Sequence, residues 1–369
     1  MKRWLASAAL VCASFLVAGL FAEVVVRLVS KDDIPLFPRY HTDYQYARYT
    51  LRGLRANSEF WHTSVDGHWR FVTNSRGFRD TREFAYAKPV NTLRVLVLGD
   101  SNTQGYEVNQ DSTFSAVLER YLKQRQINTE VINTGVSGFS TAEELALLEN
   151  EGVKYHPDVV VVGLFENDFD DNFKAELFAL DGKGELTAQK FAHIPGVRIQ
   201  NFIYAVPGVR WLSEHSYFYS LLFNTAWNVG KLIMMRTASH VSHAGVTPPS
   251  DFEFAKATQD NVTPAQLALM RALLERMQRF CQQHSIRLIV ADVPGYPSRW
   301  HMRPSIPVGL RDSLTHAGIE VLDSRKVFDA LDGAAALHVE HGYNHISALA
   351  HAMLGVGLGR LLAPPVAPP

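Results

Sequence analysis

Residues 93–102 read LRVLVLGDSN, from Leu93 to Asn102. The run Leu93–Leu98 is short, apolar and rich in β-branched residues, and Gly99 ends it. That is the signature of a strand buried on both faces of a parallel sheet rather than of a half-exposed hairpin strand. Asp158–Leu164 (DVVVVGL), introduced by Pro157, repeats it more strongly. Further strands are expected at Glu130–Ile132, Ile286–Val293 and Gly318–Leu322. Helical patterns lie between them, at Phe114–Gln124, from Thr141 through Glu149, from Thr263 to about His284, and at Ser347–Leu362. Thr141-Ala-Glu-Glu144 and Thr263-Pro-Ala-Gln266 read as capping boxes, the second with proline at the first helical position. Strands alternating with helices predict an α/β domain, a parallel sheet covered on both faces.

Outward from this body the pattern changes. Residues 31–90 are rich in Tyr, Arg and Pro without sustained periodicity, and are expected to form an extended stalk or a wrap over the body. Between 170 and 262 lies an insertion too long for an ordinary connection. Its apolar stretch Ser216–Met235 contains Asn224, Asn228 and Lys231, which are costly in lipid. An amphipathic helix over the active face or on a membrane surface is therefore preferred to a second span. The Pro-rich end, residues 363–369, is expected to be disordered.

At the other end, Lys2 and Arg3 precede 19 residues, Trp4–Ala22, without a charge. At ~1.5 Å per residue a helix of that length approaches the ~30 Å hydrocarbon core of a bilayer. A signal-anchor helix within residues 1–30 is expected. A cleaved signal is disfavoured because its apolar region is usually shorter and Leu20 spoils the site after Ala22. A buried helix of a cytosolic protein is the remaining alternative. Lys2 and Arg3 favour a cytoplasmic N-terminus with the body exported to the periplasm or cell surface, although Arg27 and Lys31 lie on the far side.

Composition narrows the classes. Of 369 residues, 47% are hydrophobic and 20% charged, which excludes wholesale disorder. With 36 Lys+Arg against 37 Asp+Glu, nucleic-acid binding by bulk charge is excluded. The two cysteines, Cys12 and Cys281, offer neither a disulfide framework nor a cysteine metal site. No Gly-x-Gly-x-x-Gly follows the first strand, against a dinucleotide site.

Three expected strands end in small polar turns: Gly99–Asn102, Asn133–Gly138 and Gly163–Asp168. A fourth segment is His345–His351. Ligands of open parallel sheets bind at the carboxyl ends of the strands. Acyl transfer needs a nucleophile, a base and donors aimed at a developing oxyanion. Ser101 offers the hydroxyl and His345 the base. Ser101 N–H, the Cβ-free Gly138 N–H and the Asn167 amide offer the donors. Alone, each is an ordinary turn, cap or surface residue; the ordered combination points to chemistry.

These blocks resemble the SGNH (GDSL-type) hydrolases, in their membrane-anchored bacterial form. LVLGDSNTQG is similar to the first block, with Ser101 in the nucleophile position. NTGVSGFST is similar to the second, with Gly138 in the oxyanion place. GLFENDFDDN is similar to the third, with Asn167 as the oxyanion amide. HISALAH is similar to the fifth, with His345 as base and Ala350 where the family often has glycine. TNSRGFRD, Thr73–Asp80, resembles a segment that precedes the catalytic domain in anchored members. The resemblance covers roughly residues 93–172 and 264–362 within a catalytic domain at 91–362. It implies a flavodoxin-like three-layer α/β/α fold and serine-dependent ester chemistry with no cofactor and no metal.

One departure stands out. The family usually places an Asp two or three residues before its His, and here those positions are Tyr343 and Gly342. Glu340 can substitute if the loop bulges; otherwise a Ser–His dyad remains, or a backbone carbonyl orients the ring. The expected activity is hydrolysis of O-acyl esters through an acyl-enzyme at Ser101, on an extracytoplasmic glycan or lipid. O-acyl transfer to a cell-surface polysaccharide is an alternative, since water exclusion decides between them. A non-catalytic glycan-binding relative is another, motivated by the absent Asp.

Overall fold

The computed structural model describes residues 2–39, 41–191, 196–238, 261–342 and 344–363. Tyr343 and the tail from residue 364, expected to be disordered, lie outside these, as does the end of the insertion. The described chain divides into two compact units. One comprises Met1–Arg39, Phe60–Trp69 and Phe202–Ser250, and the other the remainder.

The larger unit is built on five parallel strands: β1 Leu93–Gly99, β2 Thr129–Asn133, β3 Val159–Leu164, β4 Arg287–Asp292 and β5 Glu320–Leu322. Their order is β5-β4-β3-β1-β2, so the direction of winding reverses beside β1. This is the flavodoxin-like order, and the reversal is where open sheets bind ligands. Alternation of side chains along each strand divides the core in two. Leu96, Leu98, Ile132, Val160, Val162 and Val290 face one layer, with Leu145 and Leu148 of the helix Thr141–Asn150 and Met270, Leu273 and Met277 of the helix Pro264–Gln283. Val95, Val97, Val131, Val161 and Ile289 face the other, with Leu118 and Leu122 of the helix Phe114–Gln124 and Leu354 and Leu358 of the helix Ala348–Leu362. The result is the three-layer α/β/α sandwich.

Caps fix where the helices start. Thr263 Oγ1 accepts from Gln266 N at 3.3 Å, and Gln266 Oε1 accepts from Thr263 N at 2.8 Å, the expected reciprocal box. The other box is displaced by one residue. Glu143 Oε2 accepts from Ser140 N at 2.7 Å and from Ser140 Oγ at 2.9 Å. Ser140 is therefore the cap, and Glu144, expected to be its acidic partner, is turned inward and buried.

The stretch expected to be an extended stalk or a wrap over the body is not extended chain. It forms two antiparallel hairpins, His41–Tyr46 with Tyr49–Leu54 and Glu59–Ser64 with Gly67–Val72. Tyr49, Leu51 and Leu54 of the first are buried in the core of the larger unit. In the smaller unit the helix Lys2–Val29 is the one described helix long and apolar enough to cross a membrane, and none of that span is buried. The insertion supplies the helices Gly196–Tyr204, Val209–His215 and Tyr217–Ala238 and a hairpin of Phe178–Leu180 with Leu186–Ala188. Glu23, near the end of the N-terminal helix, accepts from Ser216 Oγ, Phe218 N and Tyr217 N at 2.7, 2.9 and 3.1 Å. It thereby caps the long insertion helix from another segment.

Candidate active site

β1 delivers its last residues into a sharp turn that opens the single-turn helix Ser101–Gln104. Asp100 caps it, its Oδ1 accepting from Asn102 N at 2.8 Å. The hydroxyl of Ser101 is thereby presented at the carboxyl edge of the sheet, beside the reversal in strand order. More than 240 residues later the chain returns to the same edge. Asn102 Oδ1 accepts from Ile346 N at 3.1 Å, which pins the second loop onto the first.

That pin brings the imidazole to the hydroxyl. His345 Nε2 lies 2.8 Å from Ser101 Oγ. The other ring nitrogen, Nδ1, meets the carbonyl oxygen of Gly342. A carbonyl can only accept, so Nδ1 carries the proton and Nε2 is the free base facing the hydroxyl. Tyr106 stacks on the ring, centroids 4.3 Å apart and planes 27° from parallel. The imidazole is thus fixed in tautomer by one contact and in plane by another.

Gly138 and Asn167 follow β2 and β3, the two strands flanking β1, so both stand at this edge. The Gly138 loop is tied to the Ser101 loop: Gln104 Oε1 accepts from Ser137 Oγ at 2.6 Å and from Ser137 N at 2.7 Å. Gly138 has φ +79°, where a side chain is strained, and a Cβ there would lie 2.4 Å from Arg52 Nη2. Arg52 donates from that nitrogen to the Gly138 carbonyl. One N–H of the Asn167 amide goes to Asp171 Oδ2 at 2.7 Å, and the amide's second N–H is a further donor at this edge.

Glu340 is not placed to orient the ring. Its carboxylate is half-exposed and donors reach it from Arg299 Nη1 at 2.5 Å. The Gly342 carbonyl accepts from Nδ1–H, the backbone option among those expected. Asp100 and Asp168 hold loops: Asp168 Oδ2 accepts from Phe165 N at 3.0 Å.

Two contributors were not singled out from the sequence. Arg79, in the TNSRGFRD block, is fully buried and donates to the carbonyls of Gln104, at 3.0 Å, Gly105, and Val108, at 2.7 Å. Burial pushes its guanidinium down to about 9. The block is therefore a brace for the loop after Ser101. No local pattern marks Arg79, since Phe78 precedes it and Asp80 follows it. Arg52, over Gly138, lies on a hairpin strand in which tyrosine and leucine alternate with polar residues.

A second group lies buried beneath. Asp100 is pushed up to about 7, foremost by burial. Glu144 is pushed well up by burial and then by the charges of Asp100 and Glu143, and Asp168 by burial and then by the charges of Glu144 and Asp100. Burial thus favours the protonated form of each of these carboxyls beside the Ser101 loop.

Residues 97–353 match the model of the GDSL-like Lipase/Acylhydrolase family. The chain belongs to this family. It is an esterase of the SGNH type, carrying an N-terminal apolar helix. No curated protein matches it at a significant level. Among solved structures, the lipase/acylhydrolase from Enterococcus faecalis is similar at 17% identity, over 73% of this chain and 94% of its own, with a TM-score of 0.39. A variant of an acetyl-xylooligosaccharide esterase from Geobacillus is 13% identical over 75% of this chain and 96% of its own, with a TM-score of 0.40.

Proposed function

We propose that this esterase hydrolyses O-acyl esters of an extracytoplasmic glycan or lipid through an acyl-enzyme at Ser101, in a body held at the membrane by a single N-terminal helix. The 2.8 Å contact between Ser101 Oγ and the unprotonated Nε2 of His345 carries the reading. His345 takes the Ser101 proton as Oγ attacks the acyl carbon, then returns it to the leaving alkoxide. Water, deprotonated by the same nitrogen, releases the acid. The N–H groups of Ser101 and Gly138 and the Asn167 amide receive the charge on the carbonyl oxygen. Each such donor is typically worth ~2.7–4 kcal/mol of barrier. The uncharged span Trp4–Ala22, preceded by Lys2 and Arg3, supports an N-terminus inside and a body outside the cytoplasmic membrane.

The test is a fluorophosphonate probe together with turnover of 4-nitrophenyl acetate on the full chain in detergent. Ser101→Ala abolishes labelling, and both Ser101→Ala and His345→Ala lower kcat by ~10³-fold or more. Wild-type protein that is folded but neither labels nor turns over would return the chain to a non-catalytic role. A product that changes from free acid to acylated sugar on adding an oligosaccharide would make it a transferase.

A further inference from the structure

Gly342 occupies one of the two positions where the family's acid is expected, and it has no side chain to offer. The structure shows what fills the space. A Cβ built on Gly342 would lie 2.4 Å from Glu107 Oε2. The carboxylate of Glu107 therefore stands where the side chain of an aspartate at 342 would begin. Glu107 comes from the loop after the nucleophile, is only 3% exposed, and has a left-handed backbone, φ 58°, which is uncommon for a residue with a side chain.

Its neighbours tie it to the base. Tyr106, the preceding residue, is the ring stacked on His345. The turn that carries both is held by Arg79, through the carbonyls on either side at Gln104, Gly105 and Val108. One buried arginine thus fixes a segment that lays an aromatic face on the imidazole and a carboxylate against the peptide that accepts its Nδ1 proton. The Gly342 carbonyl selects the tautomer but brings no net charge to balance an imidazolium. A carboxylate across the Gly342 peptide can answer the charge of the imidazolium formed during acyl transfer.

We propose that Glu107 is the positioning carboxylate of this site, taking the part of the missing triad acid from the nucleophile's own loop and stabilising the His345 imidazolium across Gly342. The proposal rests on Ser101 and His345 acting as assigned above. When Oγ bonds to the acyl carbon, its proton passes to Nε2. The positive charge spreads over the ring, Nδ1–H stays on the Gly342 carbonyl, and Glu107 faces the ring across the Gly342 peptide.

Steady-state kinetics on 4-nitrophenyl acetate separates this role from a structural one. Glu107→Gln keeps size and loses charge, and should lower kcat by about tenfold or more with KM within about twofold. Glu107→Asp, which keeps the charge, should recover most of that loss. In a His345→Ala background Glu107→Gln should cost nothing further, because the charge it answers is gone. Glu340→Gln should leave kcat within about twofold, as expected for an exposed ion pair. The proposal is overturned if Glu107→Gln keeps wild-type kcat, if Asp recovers no more than Gln, if the loss is the same with and without His345, or if Glu340→Gln costs more than Glu107→Gln. Activity surviving Ser101→Ala would sink the underlying reading; its loss there alongside an unaffected Glu107→Gln would sink only the role of Glu107.

Discussion

The parallel-sheet body and the N-terminal helix are both written in long apolar runs, and they turn them in opposite directions. Every residue of β3, and all of β1 after Leu93, is buried, covered on each face by helices of the same chain. The helix Lys2–Val29 leaves Trp4, Leu10, Phe15, Leu16 and Phe21 exposed. In the first region apolar surface is answered internally, so its pattern specifies a fold. In the second much of it stays exposed among the described residues, so its pattern specifies a helix without a core of its own. The same apolar residues make a core in one region and an exposed apolar surface in the other.

The largest expected effect breaks the comparison at the helix. Two lysines at Leu10 and Leu16 place charges in mid-span, each costing ~2.5–3.5 kcal/mol of insertion, about 5–7 kcal/mol together. The double variant should move from the washed membrane pellet to the soluble fraction. The Glu23 cap on the insertion helix stays in place, and fluorophosphonate labelling should persist. A variant that stays in the pellet like wild type would show that something other than this span holds the protein there.

A matched pair of truncations sharpens the comparison. Leu354 is fully buried between the helix Ala348–Leu362 and the sheet, whereas Leu16 is exposed on the N-terminal helix. Leu354→Ala should cost ~2–5 kcal/mol of stability, from lost transfer and the cavity left behind. Leu16→Ala should change it by under ~0.5 kcal/mol. Urea midpoints in detergent read both, and equal shifts would contradict the division between the two regions.

What the sequence made legible follows the same line. The helix Phe114–Gln124 and the strands at 93, 129, 159, 287 and 320 stand where periodicity and the glycine and proline boundaries put them, because two-faced burial leaves a strong local pattern. The hairpins at 41–54 and 59–72 were less legible. Their alternation is there, with Tyr49, Leu51 and Gly53 turned inward, yet each strand is only six residues long. The capping box slipped by one residue because Ser140 and Thr141 are both good caps, and the three-residue spacing fits Ser140–Glu143 as well as Thr141–Glu144. At the site, Ser101 was legible as a strand-end residue and His345 only as part of a separate polar segment, and their 2.8 Å contact depends on two loops 244 residues apart. Glu340 was chosen for nearness in sequence. The acid nearest in space to Gly342 comes from position 107, and no local pattern reports that.

The smallest expected effect concerns what the body tolerates and the N-terminal helix does not. Trp4–Ala22 holds no charge, whereas the body buries Asp100, Glu144 and Asp168. Burial raises all three above the ordinary carboxyl range, Asp100 to about 7. In the unfolded chain such groups lose their protons near pH 4. The folded state therefore keeps protons that the unfolded state gives up, and this contribution is complete below pH 4 and is lost as pH rises through about 7. Glu144→Gln keeps the shape and removes one group from the cluster, so it also eases ionisation of its two neighbours. Between pH 5 and pH 8 the variant should lose less stability than wild type, by on the order of 1–2 kcal/mol. Urea midpoints at the two pH values measure it. A variant that loses as much as wild type over that range would mean that Glu144 is already ionised at pH 5, and that the floor of the active site carries a negative charge the surrounding residues must balance.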